Sequence, residues 1–333
     1  MLVDSGGVAN TPPAVNNNTG ATVNQFSTAN VIGQAQLEFT DAEQGAADLD
    51  ITFDTVPASG TLYIDNAPNN GMPDGAGEIL SMGETITQAD INNNLLKYDH
   101  AGSTANKTFQ VDVSDGQGGA VNNQVFTIMV TPQPEIEVKD GAMVTDTDIP
   151  VNTGTAAFGA VNVGSPSMKT FTIVNIGGAG LLINNIASTG GSSGDYVVSG
   201  HPAFPFIINP GNNQTFVVTF TPGAAGARNS TLRINNNDPT GENPFDFNLT
   251  GSGVVPFTTE VTVAAGILTI NDVAGANSAD QLQISYNAGM MQYTVTDTGG
   301  LIIDASSIAG SAGNLTASVT IPAAGITGLA VTT

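Results

Sequence analysis

The chain has no cysteine and no tryptophan among its 333 residues, and only 6 Lys+Arg stand against 29 Asp+Glu. Without cysteine there are no disulfides, no thiolate nucleophile and no Cys-based zinc site, so stability must come from packing. Secreted eukaryotic β-domains of this size often carry disulfides, and their absence tilts the source towards a bacterial or archaeal surface. A formal charge of −23 opposes contact with phosphate backbones and anionic membranes, so no nucleic acid is expected as a partner. No tryptophan and only 5 tyrosines leave little from which to build a carbohydrate-stacking cleft. No run approaches the roughly 18 apolar residues of a membrane helix, and direct membrane insertion is not expected. The start MLVDSGGVANTPP lacks a basic region followed by an apolar core, and the end GLAVTT carries no polar tail. Both read as a processed form or a piece of a longer protein.

What the chain does have is short apolar alternation between turn signals. Hydrophobic residues make up 40% of it, enough for a globular core. Residues 1–30, rich in Asn, Gly, Thr and Ala, read as a lead-in linker or strand. Residues 31–133 show period-two pairs such as Ile51/Phe53, Leu62/Ile64, Phe109/Val111/Val113 and Phe126/Ile128/Val130, the signature of half-buried sandwich strands. One helix is expected after Thr87, where Thr87 and Asp90 form a capping box ahead of Ile91, Leu95 and Leu96. Pro132 and Pro134 stiffen a boundary near 133. Residues 134–253 alternate more cleanly, through Phe171/Ile173, Phe216/Val218/Phe220, Leu232/Ile234 and Phe245/Phe247/Leu249, with about seven strands expected. Residues 254–333 contain no Lys, Arg or His and form a third β-rich segment whose topology the pattern leaves open. The fold class is therefore all-β, tandem sandwiches followed by a third β-rich segment.

The first of these units resembles the cadherin-like repeat of chondroitin sulfate proteoglycan type. The resemblance rests on Leu37-Glu38-Phe39-Thr40-Asp41, the Pro57–Leu62 turn, Thr87-Gln88-Ala89-Asp90-Ile91, Leu96-Lys97-Tyr98-Asp99-His100 and Val113-Ser114-Asp115-Gly116. The second is similar to the Hydin-type immunoglobulin-like module, through Ala157-Phe158-Gly159, Lys169–Asn175, Phe216–Pro222, Ile234–Pro239 and Leu249–Gly253. The third is similar to repeat stretches of giant bacterial exoproteins, although the glycine-aspartate repeats of a calcium β-roll are missing. Together they imply a large bacterial surface or secreted protein whose modules space, adhere or assemble and do not catalyse. Expected partners are other protein chains or a cell-surface ligand. A second expectation is a self-assembling subunit of a filament, sheath or surface layer, in which residues 20–35 or the third segment extend a neighbour's sheet. A third, more remote, is a set of accessory domains of a secreted hydrolase.

Calcium is the one cofactor the residues suggest, because a hard cation takes six or more oxygen ligands and carboxylates at strand ends supply them. Asp41, Glu43, Asp48, Asp50 and Asp115 lie in segments that resemble the acidic loops of cadherin-like domains. Against this, the interdomain calcium signature of true cadherins is replaced by Thr131-Pro132-Gln133-Pro134-Glu135, and Asp65–Glu78 reads as a plain long loop. No catalytic residue is expected: His100 and His201 fall in different units, and Tyr98-Asp99-His100 matches a structural position of the repeat. Lys97, Lys107, Lys139 and Lys169 are the candidates for the Lys–Asn or Lys–Asp amide crosslinks that replace disulfides in some cysteine-free surface domains. Each reads more simply as a surface charge that guards a sheet edge.

Overall fold

The computed structural model describes residues 9–66, 70–75, 77–255, 257–273, 281–298, 302–314 and 316–332. Three separate hydrophobic clusters organise them, one within residues 21–128, one within 136–249 and one within 261–321.

In the first unit a five-stranded sheet runs in the order Ala21–Asn24, Ala120–Thr131, Lys107–Ser114, Asp50–Thr55, Thr85–Thr87. Smaller sheets complete the unit: Asn30–Val31 with Leu96–Asp99 and Thr61–Ile64, and Ala14–Asn18 with Leu37–Thr40. The alternation dictates which side is buried. Phe109, Val111 and Val113 point inward on one strand, and Phe109 lies between Phe53 and Phe126 at ring separations of 5.6 and 4.9 Å. The short helix Gln88–Asn92 begins at Thr87 with the expected reciprocal Thr87–Asp90 capping box.

Part of the segment read as a lead-in belongs to this unit. Ala14–Asn18 pairs antiparallel with Leu37–Thr40, and Ala21–Asn24 pairs parallel with Ala120–Thr131. The reason is a two-residue alternation too short to stand out in an Asn-rich stretch: Ala21 and Val23 are buried and Thr22 and Asn24 are not. The strands at 21–24 and 30–31 are thus hydrogen-bonded within their own unit.

The second unit packs a sheet ordered Ile136–Lys139, Ser167–Asn175, Asn213–Phe220, Tyr196–Ser199 against one ordered Thr155–Asn162, Phe245–Val254, Ser230–Asn235, Asn185–Thr189. Phe171 contacts Phe216 from its own sheet and Phe247 from the other, at 5.4 and 5.5 Å. The third unit has one sheet ordered Ile303–Asp304, Thr259–Ala264, Ile267–Asp272, Gly328–Thr332 and another ordered Leu282–Asn287, Gln292–Asp297, Ser318–Pro322.

The lysines correct a sequence expectation. Lys97 and Lys139 are each only 8% exposed, not surface guards, because acceptors meet them below the surface. Lys97 contacts the fully buried Asp65, and Lys139 contacts Glu137 and Asp148.

Candidate functional site

Two groups of oxygen ligands stand out, one in the first unit and one beside the junction with the second. In the first, the turn after Leu37–Thr40 is an Asx turn: Asp41 Oδ1 accepts from the backbone N–H of Glu43 at 2.8 Å and of Gln44 at 3.0 Å. The chain at residues 10–11 links this turn to the loop after Lys107–Ser114. Thr11 donates to Glu43 Oε2 from its N–H and its hydroxyl, at 3.1 and 2.6 Å. Asn10 Nδ2 donates to Asp115 Oδ2 at 2.9 Å, and Asp115 Oδ1 accepts from Gln117 N–H and Gly119 N–H. Burial on its own would raise the Asp115 carboxyl, but Asn10 and the two backbone N–H groups outweigh it and hold the group below its ordinary range.

Three buried oxygens in these segments have no hydrogen-bond partner: Asn10 Oδ1, Asp41 Oδ2 and Gln44 Oε1. A buried acceptor without a donor is costly. Of the five residues expected from sequence, the structure ties Asp41, Glu43 and Asp115 together through residues 10–11. It leaves Asp48 and Asp50 exposed, with Asp50 in a strand opposite Ser114 and Thr87. Sequence reading missed Asn10 and Gln44, whose amide side chains carry no charge to mark them.

The second group also escaped sequence reading. Glu135, Asp238 and Glu242 bring carboxylate oxygens within 4.8 Å of one another. Asp238 is buried and accepts from Ile136 N–H at 2.8 Å and from Thr240 N–H and hydroxyl at 2.7 Å each. Thr240 Oγ1 also donates to Glu135 Oε2 at 3.2 Å. Burial, then the Asp238 charge, pushes Glu135 up from 4.5 to about 7, and Glu242 is raised for the same two reasons. A carboxyl raised in the folded state favours folding below its unfolded value and loses that contribution as pH rises through the folded one. The second unit is therefore expected to lose stability from pH 4.5 to about 7. Glu135→Gln should flatten that slope and stabilise the protein above the window by about 1 kcal/mol, after allowing for solvent screening of a half-buried group. Thermal unfolding across the window checks this, and an unchanged slope in the variant refutes it.

The same stretch of chain joins the first two units. Gln25, 2% exposed, donates through Nε2 to Gly102 O within the first unit. Its Oε1 accepts from Gln133 N–H in the linker at 3.1 Å and from Gly178 N–H in the second unit at 2.9 Å. The backbone adds Gln25 N–H to Thr131 O and Gly178 N–H to Gln133 O. Gly178 is needed there: a β-carbon would collide with Thr104 Cγ2 and lie 2.7 Å from Gln25 Oε1.

The histidines have structural surroundings. His100 Nδ1 accepts from Phe26 N–H and Gly102 N–H, which leaves Nε2 to carry the ring proton, and burial lowers its pKa. The neighbouring Asp99 accepts through Oδ1 from Ala29 N–H and the Tyr63 hydroxyl. His201 is stacked on Phe204 at 4.3 Å.

Comparison with known proteins assigns the first two units. Residues 13–130 match the Cadherin-like family, and residues 148–251 match the HYDIN/CFA65/VesB-like Ig-like domain. These families are β-sandwich domains and not catalytic ones. No curated protein matches the chain. Solved structures with some likeness include the D00-D0 domain of Intimin, at 14% identity over 73% of this chain and 99% of that one, with a TM-score of 0.31. Another is the Vibrio cholerae VesB protease, at 11% identity over 67% of this chain and 66% of that one, with a TM-score of 0.26. A third is a PapD-like domain of human CEP192, at 12% identity over 37% of this chain and 88% of that one, also with a TM-score of 0.26. At such scores the likenesses carry no functional weight.

Proposed function

From a chain in which a cadherin-like domain is followed by a HYDIN/VesB-like Ig-like domain, we propose a non-catalytic, extracellular string of structural and adhesive modules belonging to a large bacterial surface protein. The observation that carries this reading is the bracketed junction. Gln25 holds linker and second domain at once, and Gly178 packs without a side chain against Thr104 and Pro132, as a spacer that keeps a fixed angle requires. An enzyme would need a polar cleft with a positioned nucleophile or base, and the two histidines serve backbone N–H groups and ring stacking instead.

Calcium belongs to this reading as the occupant of the first domain's acidic turn. Asp41, Asp115, Asn10 and Gln44 would hold it, and the ion would supply positive charge that these segments lack. Thermal unfolding in calcium and in chelator tests it. At a calcium concentration near a hundred times Kd, stabilisation of about 2.7 kcal/mol is expected, and it should vanish in Asp41→Ala. Identical midpoints in both buffers remove calcium from the account.

Self-assembly is the second reading, favoured by one observation. Gly328–Thr332 lies at the edge of its sheet, with Leu329 49% and Val331 47% exposed, in a segment without a basic residue to discourage pairing. Molar mass by light scattering separates the two. A spacer stays near 33.6 kDa at all concentrations, whereas an assembly subunit grows.

A further inference from the structure

We propose that Lys97 and Asp65 condense into an intramolecular amide, a covalent crosslink between neighbouring strands of the first domain. Lys97 lies on Leu96–Asp99 directly opposite Tyr63, and Asp65 follows Thr61–Ile64 on the partner strand, two residues beyond Tyr63. The pair is therefore diagonal on one face of the two paired strands, and Lys97 Nζ contacts Asp65 Oδ2.

Among the ion pairs of the described residues, this is the lysine that meets an acid shut off from water. The Asp65 side chain is 0% exposed, whereas Asp148 opposite Lys139 is 59% exposed and Asp140 opposite Lys169 is 32% exposed. That difference decides the chemistry. In water, joining an ammonium to a carboxylate is opposed because both ions are well solvated. In a closed site that solvation has already been lost, and condensation removes both buried charges while releasing a water to the bulk. Fixed contact also replaces a bimolecular encounter with a unimolecular step.

The polar groups around Asp65 suit an acyl transfer. Asn70 N–H donates to Oδ1 at 3.2 Å and Gly71 N–H to Oδ2 at 2.7 Å, so both oxygens have a donor as charge develops on them. The proton of Lys97 passes along its hydrogen bond to Oδ2, leaving a neutral amine and a neutral carboxylic acid. The Nζ lone pair then attacks Cγ, and charge on Oδ1 is met by Asn70 N–H. The C–Oδ2 bond breaks, the departing hydroxyl takes the second proton from Nζ, and one water leaves. Atoms and charge balance with no other reactant. The Lys97 contact and the backbone donors hold Asp65 below the usual carboxylate range, so the ion pair is the resting form from which the proton must first pass. The Tyr63 phenol, two residues before Asp65, lies in the field of Asp65 and of a second buried carboxyl, Glu78.

The test is the intact mass of the purified, folded full-length chain, measured after denaturation. The expected result is a wild-type mass one water below that of the sequence, a Lys97→Arg mass equal to its sequence, and a wild-type digest containing a branched peptide that joins residues 65 and 97. A wild-type chain at its full sequence mass, or a deficit that persists in Lys97→Arg, overturns the proposal and leaves an ordinary buried ion pair.

Discussion

Phe109→Ala should destabilise the first domain by about 3–5 kcal/mol, the range for emptying a buried aromatic site. Phe109 is wholly buried between Phe53 and Phe126, all three from strands of one sheet, so neighbouring side chains cannot close the space without moving the sheet. The loss should also be confined. The cluster around Phe171, Phe216 and Phe247 shares no member with the first, so the second domain should unfold at its own temperature in this variant. Differential scanning calorimetry shows this as one transition displaced and another unmoved. A single cooperative shift of both would mean that the domains are not independent units.

Gly178→Val should free the first domain from the second while leaving each folded. The added side chain must displace Thr104 or Gln25, a strain of roughly 1–3 kcal/mol in a packed contact. Moving Gln25 also gives up the hydrogen bonds its Oε1 accepts from Gln133 and Gly178. With the bracket opened, the linker around Gln133 should become a protease site before either domain unfolds. Cleavage rates equal to wild type would show that the junction does not depend on this contact.

The contrast between what the sequence announced and what it hid has a physical basis. Local rules were visible. Thr87 and Asp90 are three residues apart and cap the helix as their spacing requires, and the phenylalanine alternations mark the buried face of each strand. The candidate sites depend on distant parts of the chain. Asn10 meets Asp115 across 105 positions, and Glu135 reaches its partners near 240 only because a linker crosses the end of the second sandwich. Uncharged amides such as Asn10, Gln25 and Gln44 have no pattern to betray them in a chain rich in such residues. Lys97 misled for a related reason. A lysine in an alternating strand reads as exposed, and only the folded strand pair reveals Asp65 beneath the surface to receive it.

The absence of cysteine also makes the decisive measurement clean, since two introduced cysteines give the only reactive thiols. Spin labels at Val125 in the first domain and Val197 in the second occupy side chains that are 52% and 60% exposed, away from both cores. Electron–electron resonance should give a single narrow distance distribution between them, unchanged by concentration, as a fixed spacer requires. A broad distribution would show that the domains tumble independently about Pro132 and Pro134, and would contradict the rigid module string at the centre of the account.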